Sequence, residues 1–106
     1  MKQYNVKITD KALADMEAIY NYISEELLNP DAAMRQYNRI ADAVASLNVF
    51  PERVRLFESL PEHDLGMRQI LVDNYSVVHV IDRADVVVLR VLYSASDINA
   101  RLRDDI

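Results

Sequence analysis

The stretch "GMRQILVDNYSVVHVIDRADVVVLRVLYS", residues 66–94, decides the fold. It holds three apolar runs rich in Val, Ile, Leu and Tyr, "GMRQILV", "YSVVHVI" and "VVVLRVLY", which read as strands. Two short polar pairs, Asp73-Asn74 and Arg83-Ala84, separate them and read as turns. Asp-Asn suits a tight hairpin because both residues tolerate positive φ. Arg-Ala is a weaker turn pair, so a longer loop is admissible there. With two-residue turns, Val72 lies opposite Tyr75, Ile70 opposite Val77 and Arg68 opposite His79. Across the second turn, His79 lies opposite Val88 and Val77 opposite Arg90. Alternation then puts Arg68, Tyr75, His79 and Arg90 on one face. Leu71, Val78, Val80, Val87, Leu89 and Val91 share the other, which carries almost no polar atoms.

The cluster on the first face has two readings. In one it is a site: two Arg hold a phosphate and His79 moves a proton near neutral pH. In the other it is structural. Burying a lone guanidinium costs several kcal/mol unless it is paired, so Arg90 or Arg68 reaches Asp15 or Glu17 on the preceding helix. The residues alone favour the ion pair. A register slip of one residue would dissolve the cluster.

Upstream, "YNVKIT" (4–9) alternates as a half-buried strand. Thr9 or Asp10 can cap the helix that follows. Leu13, Met16, Ile19 or Tyr20, Ile23 and Leu27 form its apolar stripe. Asn29-Pro30 opens a second helix, with Asn at the cap and Pro at the first helical position. Its stripe is Ala33, Met34, Tyr37, Ile40, Ala41, Val44 and Leu47, and Pro51 ends it. So short a turn makes the two helices an antiparallel hairpin. Tyr20, Tyr22, Tyr37, Met16 and Met34 read as packing residues. "PERVRLFESLPEHDL" (51–65) lacks periodicity and reads as a loop with a short extended piece near 54–57. "EHD" within it looks like a metal fragment without partners. Residues 94–106 read as a helical turn or a mobile tail. The order β-α-α-β-β-β is an α+β domain over residues 1–106, a helical hairpin packed on an antiparallel sheet.

Composition narrows the function classes. The chain has 106 residues, no Cys, two His and a net charge of −5. No disulfide or thiolate metal site is available, and two His are too few for a zinc site. No metal or cofactor is expected. No apolar run approaches the ~18 residues of a membrane span, and a cytoplasmic location is expected. The acidic balance makes direct nucleic-acid binding weak at most. Yet all seven basic residues after position 50 are Arg, which places any anion site in that half.

The whole chain resembles the RelE/ParE family of toxins from bacterial type II toxin–antitoxin modules. The resemblance is carried by "ITDKALADMEAIYNYI", "NPDAAMRQYNRIADAVASLNVFPER", "GMRQILVDNYSVVHVI" and "VLRVLYSASDI", in that order. It implies a small toxin silenced by a cognate antitoxin whose C-terminal segment wraps over the sheet and helices. RelE-like members cut mRNA on the ribosome without metal; ParE-like members poison DNA gyrase. In the ribonuclease members an Arg follows the Tyr that opens the middle strand. Here Tyr75 is followed by Ser76. Those members also place basic, His or Tyr side chains past the last strand; here Tyr93 is followed by Ser94 and Ala95. "GMR" and "LRVLY" look more ParE-like, with Arg68 and Arg90 at commonly seen positions. The resemblance therefore implies a ParE-like toxin that binds gyrase. A ribosome-dependent endonuclease is the alternative, with Arg68, Arg90, Tyr93 and His79, joined by Arg53 or Arg55, as its catalytic candidates. A non-toxic antitoxin-binding relic is the third reading. Leu71, Val78, Val80, Leu89 and Val91 are the expected antitoxin-binding residues.

Overall fold

The computed structural model describes residues 2–96 and 98–103. Four strands form one mixed sheet in the order β1-β4-β3-β2. They are β1 (Asn5–Ile8), β2 (Arg68–Val72), β3 (Tyr75–Asp82) and β4 (Asp85–Tyr93). Helices α1 (Asp10–Asn21) and α2 (Pro30–Ala45) lie between β1 and β2, and a short α3 (Ile98–Arg103) follows β4. The β-α-α-β-β-β order is as read from the sequence, but the sheet is not purely antiparallel. β1 runs parallel to β4, pairing Asn5 with Asp85 through Ile8 with Val88. The helical hairpin and β2–β3 supply the long crossover that parallel strands require. No helix among the described residues is long and apolar enough to cross a membrane.

The helix caps follow from local chemistry. Thr9 Oγ1 accepts the Ala12 N–H at 3.1 Å, and Asn29 Oδ1 accepts the Ala32 N–H at 3.1 Å with Pro30 just inside α2. Ala12, Met16, Ile40, Val44 and Leu47 then pack against Val72, Val77, Val86, Val88 and Val91 in the main core. The stripes read from the sequence are wider than what is buried. Tyr22, Leu27 and Met34 are exposed, so they do not serve as core packing.

The first hairpin has the expected register, Val72 with Tyr75, Ile70 with Val77 and Arg68 with His79. The second turn is also two residues, since Asp82 pairs with Asp85. Asp73 and Arg83, the first residue of each turn, take positive φ of 54° and 58°. Arg83 carries a side chain on a left-handed backbone that glycine adopts without strain. Arg83→Gly is expected to raise stability by about 0.5–1 kcal/mol, read as a higher urea midpoint at unchanged slope.

A β-bulge interrupts the second register. His79 pairs with Val88 as expected, but Val78 pairs with Arg90 and Val77 with Val91. Leu89 is the extra residue. The expected Val77–Arg90 pairing is therefore wrong by one, and everything beyond Leu89 changes face. Val91 sits in the helix-side core with Val77, not on the opposite face.

That opposite face is not bare. Phe57 and Met67 from the long loop and Leu102 from α3 bury Val78 and Leu92 in a second core, with Val80, Leu89 and Ile98 packed around it. The segment around "EHD" is ordered by turn bonds such as His63 N–H to the Ser59 carbonyl (2.9 Å), and Glu62 is wholly buried. The tail is helical over α3; residue 97 and residues 104–106 lie outside the described residues.

Candidate functional site

Arg90 is held by α1. Its Nε donates to Asp15 Oδ2 at 2.7 Å and its Nη2 to Oδ1 at 2.9 Å, with both side chains 14% exposed. The same Asp15 oxygen accepts the Val91 N–H at 2.9 Å. The fold explains why a carboxylate stands there. β1 stops at Ile8, so the outer edge of β4 would be bare beyond Val88. Thr9 N–H bonds the Val88 carbonyl at 3.1 Å, Thr9 Oγ1 the Leu89 carbonyl at 3.0 Å, and Asp15 takes the next N–H. The first turns of α1 thus finish the edge that β1 leaves open. The bulge turns Arg90 toward that edge.

Arg68 and His79 are cross-strand neighbours, as the register implies. Arg68 Nη1 donates to the carbonyls of Glu52 and Val54, fastening the long loop to β2. His79 is completely buried, and neither ring nitrogen has a hydrogen-bond partner in normal geometry. Burial pushes its pKa down to about 4; a nearby Val77 backbone group offsets part of this, while the charges of Arg68 and Arg53 add to it. At neutral pH it is an uncharged imidazole sealed from solvent. Tyr93 stands apart. It is half-exposed, pairs with Tyr75 across the strands and meets its ring edge-on at 5.9 Å. Tyr75 is four residues along β3 from His79. Arg53 caps the end of the helical hairpin through the Val49 and Phe50 carbonyls at 2.7 and 2.9 Å. The four candidate catalytic residues are therefore not one cluster. Arg68 and His79 meet; Arg90 and Tyr93 go elsewhere.

A larger concave surface lies on the other side of the sheet, and a smaller one of about 380 Å³ lies on the hairpin between Glu17, Tyr20, Met34 and Tyr37. A groove of about 750 Å³ runs between the loop segment Arg55–Ser59, the ends of β2, β3 and β4, and the start of α3. Its floor is hydroxylic: Ser76 Oγ and Ser94 Oγ lie 3.1 Å apart. Gln69, Leu71, Ser96 and Asn99 complete its walls. Its two charges, Arg55 and Glu58, approach each other at 3.7 Å. The sequence reading missed this groove because its walls come from the aperiodic loop and the tail. The scattered apolar residues Phe57, Met67 and Leu102 were the signal that those segments pack.

The surface expected to be a greasy channel is thus partly closed by the chain itself. Of Leu71, Val78, Val80, Leu89 and Val91, only Leu71 is fully accessible, at 66%. Val80 and Leu89 are half-buried, Val78 is buried under the second core, and Val91 faces the helices. No cluster of His, Cys, Asp and Glu fit to hold a metal occurs among the described residues.

The family model described as "ParE toxin of type II toxin-antitoxin system, parDE" matches residues 6–98. The chain belongs to the ParE toxin family. No curated protein sequence matches it. Among solved structures it is similar to the chromosomal ParDE toxin–antitoxin system from P. aeruginosa. There the TM-score is 0.72 and the identity 23%, covering 86% of this chain and 96% of that one. It is also similar to the RelBE2 toxin–antitoxin complex from Mycobacterium tuberculosis. There the TM-score is 0.58 and the identity 22%, covering 91% and 97%. At these identities the likeness is one of fold. In this ParE-family chain the residue after Tyr75 is Ser76, and it lies on the floor of the groove.

Proposed function

We propose that this ParE-family protein inhibits growth by binding a target protein, DNA gyrase, and that a cognate antitoxin neutralises it. The observation that carries the reading is the chemistry of the groove. Metal-free RNA cleavage needs a group to activate the 2′-hydroxyl, one to protonate the leaving oxygen, and cations for the phosphate. The groove floor offers Ser76 and Ser94 instead. Arg90 is occupied by Asp15, His79 is sealed, and Arg68 holds loop carbonyls. Tyr93 and Arg55 are the candidates left open to a substrate, and the Arg55 guanidinium already has Glu58 at 3.7 Å. This supports a binding protein over a nuclease.

An antitoxin partner fits the relatives, both of which were solved as toxin–antitoxin assemblies. It also fits the exposed apolar surface. Leu71 stands out on the groove side, while Leu13, Leu27 and Met34 stand out on the hairpin. Exposed apolar groups gathered in this way mark interaction surfaces.

Inducing the chain in bacteria while following DNA supercoiling and translation separately tests the reading. Loss of supercoiling homeostasis with translation intact is expected. Rapid translation arrest with cut transcripts would defeat the gyrase reading and favour the ribosome.

A further inference from the structure

We infer that the groove between Arg55–Ser59 and the sheet holds an extended peptide segment of the protein this toxin inhibits, an inference that rests on the protein-binding reading above. The lining is almost uncharged. Ser76, Ser94, Gln69 and Asn99 supply donors and acceptors, and Leu71 forms an apolar wall. The rim charges Arg55 and Glu58 offset each other. Neutral N–H and C=O groups of a peptide match such a lining. A phosphate backbone does not, because it calls for a run of cations, and this chain nets −5.

The sheet edge beside the groove adds a second reason. β2 is an outer strand. Among the described residues it takes backbone contacts from outside the sheet at its first end: Leu56 bridges Arg68, and Phe57 N–H bonds the Met67 carbonyl at 2.9 Å. The chain then turns away, since Val54 is buried in the main core. Leu71 and Val72 lie beyond. A guest strand beside them gains main-chain bonds while its alternate side chains enter the groove. The segment belongs to the target and not to the antitoxin. A permanent partner buries a large apolar area, which the hairpin offers through Leu13, Tyr22, Leu27 and Met34. A groove of about 750 Å³ with mixed, nearly uncharged walls suits a transient contact. An antitoxin that overlaps the groove at Leu71 excludes the target.

Ser94→Trp fills the groove from an exposed position, and Leu71→Arg alters the opposite wall if the first variant does not fold. Each is compared with the wild-type chain for growth inhibition without antitoxin, for thermal midpoint, and for equilibrium binding to purified DNA gyrase at about 50 and about 200 mM salt. The expected result is a folded variant with abolished growth inhibition and gyrase binding weakened by about tenfold or more. Wild-type binding should change by less than about threefold between the two salts, since six to ten phosphate contacts would lose about 10³–10⁵. A folded variant that inhibits growth like the wild type overturns the inference. So does wild-type cleavage of transcripts that either variant abolishes, which would put RNA in the groove. A wild-type chain that arrests growth without binding gyrase removes the gyrase reading alone, and the growth assay of the two variants still decides the groove. A wild-type chain without effect on growth removes both.

Discussion

Asp15→Ala is expected to lower the unfolding free energy by about 3–5 kcal/mol, the usual result of breaking a buried ion pair from one side. Two groups lose the Asp15 carboxylate together. The Arg90 guanidinium is left in a site where it is 14% exposed, and the Val91 amide loses its acceptor on the edge of β4. Arg90→Ala should cost less, about 2–4 kcal/mol, because Asp15 keeps its bond to Val91 and can draw in water. The double variant Asp15→Leu/Arg90→Met separates charge from packing. Replacing a buried pair by apolar groups of similar size is often neutral. The double variant should therefore recover most of the loss, short of the roughly 1–3 kcal/mol for the orphaned Val91 N–H. Urea unfolding of the four proteins measures this. An Arg90→Ala variant that is as stable as the wild type yet inactive would instead make Arg90 a functional group.

The second large effect is on pH. His79 is neutral and unpartnered in the fold, with a pKa of about 4 against 6.5 in the unfolded chain. Its folded value is the lower one, so between these values the unfolded state binds more protons. Stability is fully present above about pH 6.5 and falls as pH drops toward 4. The loss below both values is about 3 kcal/mol. Of the groups that face His79, the Val77 backbone relieves it only in part, and Arg68 and Arg53 are both cations that oppose a further positive charge. His79→Leu removes the titration. The variant should be at least as stable as the wild type at pH 7, since no buried nitrogen is left unpaired. The difference between the two proteins should widen by about 3 kcal/mol as pH falls from 7 to 4. Parallel profiles for the two proteins across that range would mean that His79 is hydrated or paired in solution.

Both effects depend on residues whose types were visible in the sequence and whose surroundings were not. Arg90 in an apolar strand pointed to a counter-ion, and Asp15 was within the expected helix. The pairing of Arg68 with His79 followed from one tight turn. What failed was the step from Val77–Arg90 register to a shared face. A bulge leaves no mark in composition, since Leu89 is an ordinary strand residue, yet one extra residue sends every later side chain to the other side. Hence Val91 moved from the expected partner surface into the main core. The other miss had a different cause. Residues 51–65 and the tail show no period, so pattern reading took them for connectors. They pack through single anchors, Phe57, Met67 and Leu102.

By itself, the sequence determined the elements and their order, because helix stripes, caps and tight turns are local and are written in spacings of two to four residues. It favoured as well an ion pair for Arg90 over a functional site, because burying an unpaired charge is costly. Only the tertiary structure decided that β1 runs beside β4, that Asp15 rather than Glu17 finishes the β4 edge, and that the larger concavity is a neutral groove walled by loop and tail. Those outcomes depend on contacts between residues 40 to 75 positions apart, such as Asn99 with Ser59 and Arg90 with Asp15. Such distant contacts are chosen by how the whole chain packs, and no local pattern encodes them.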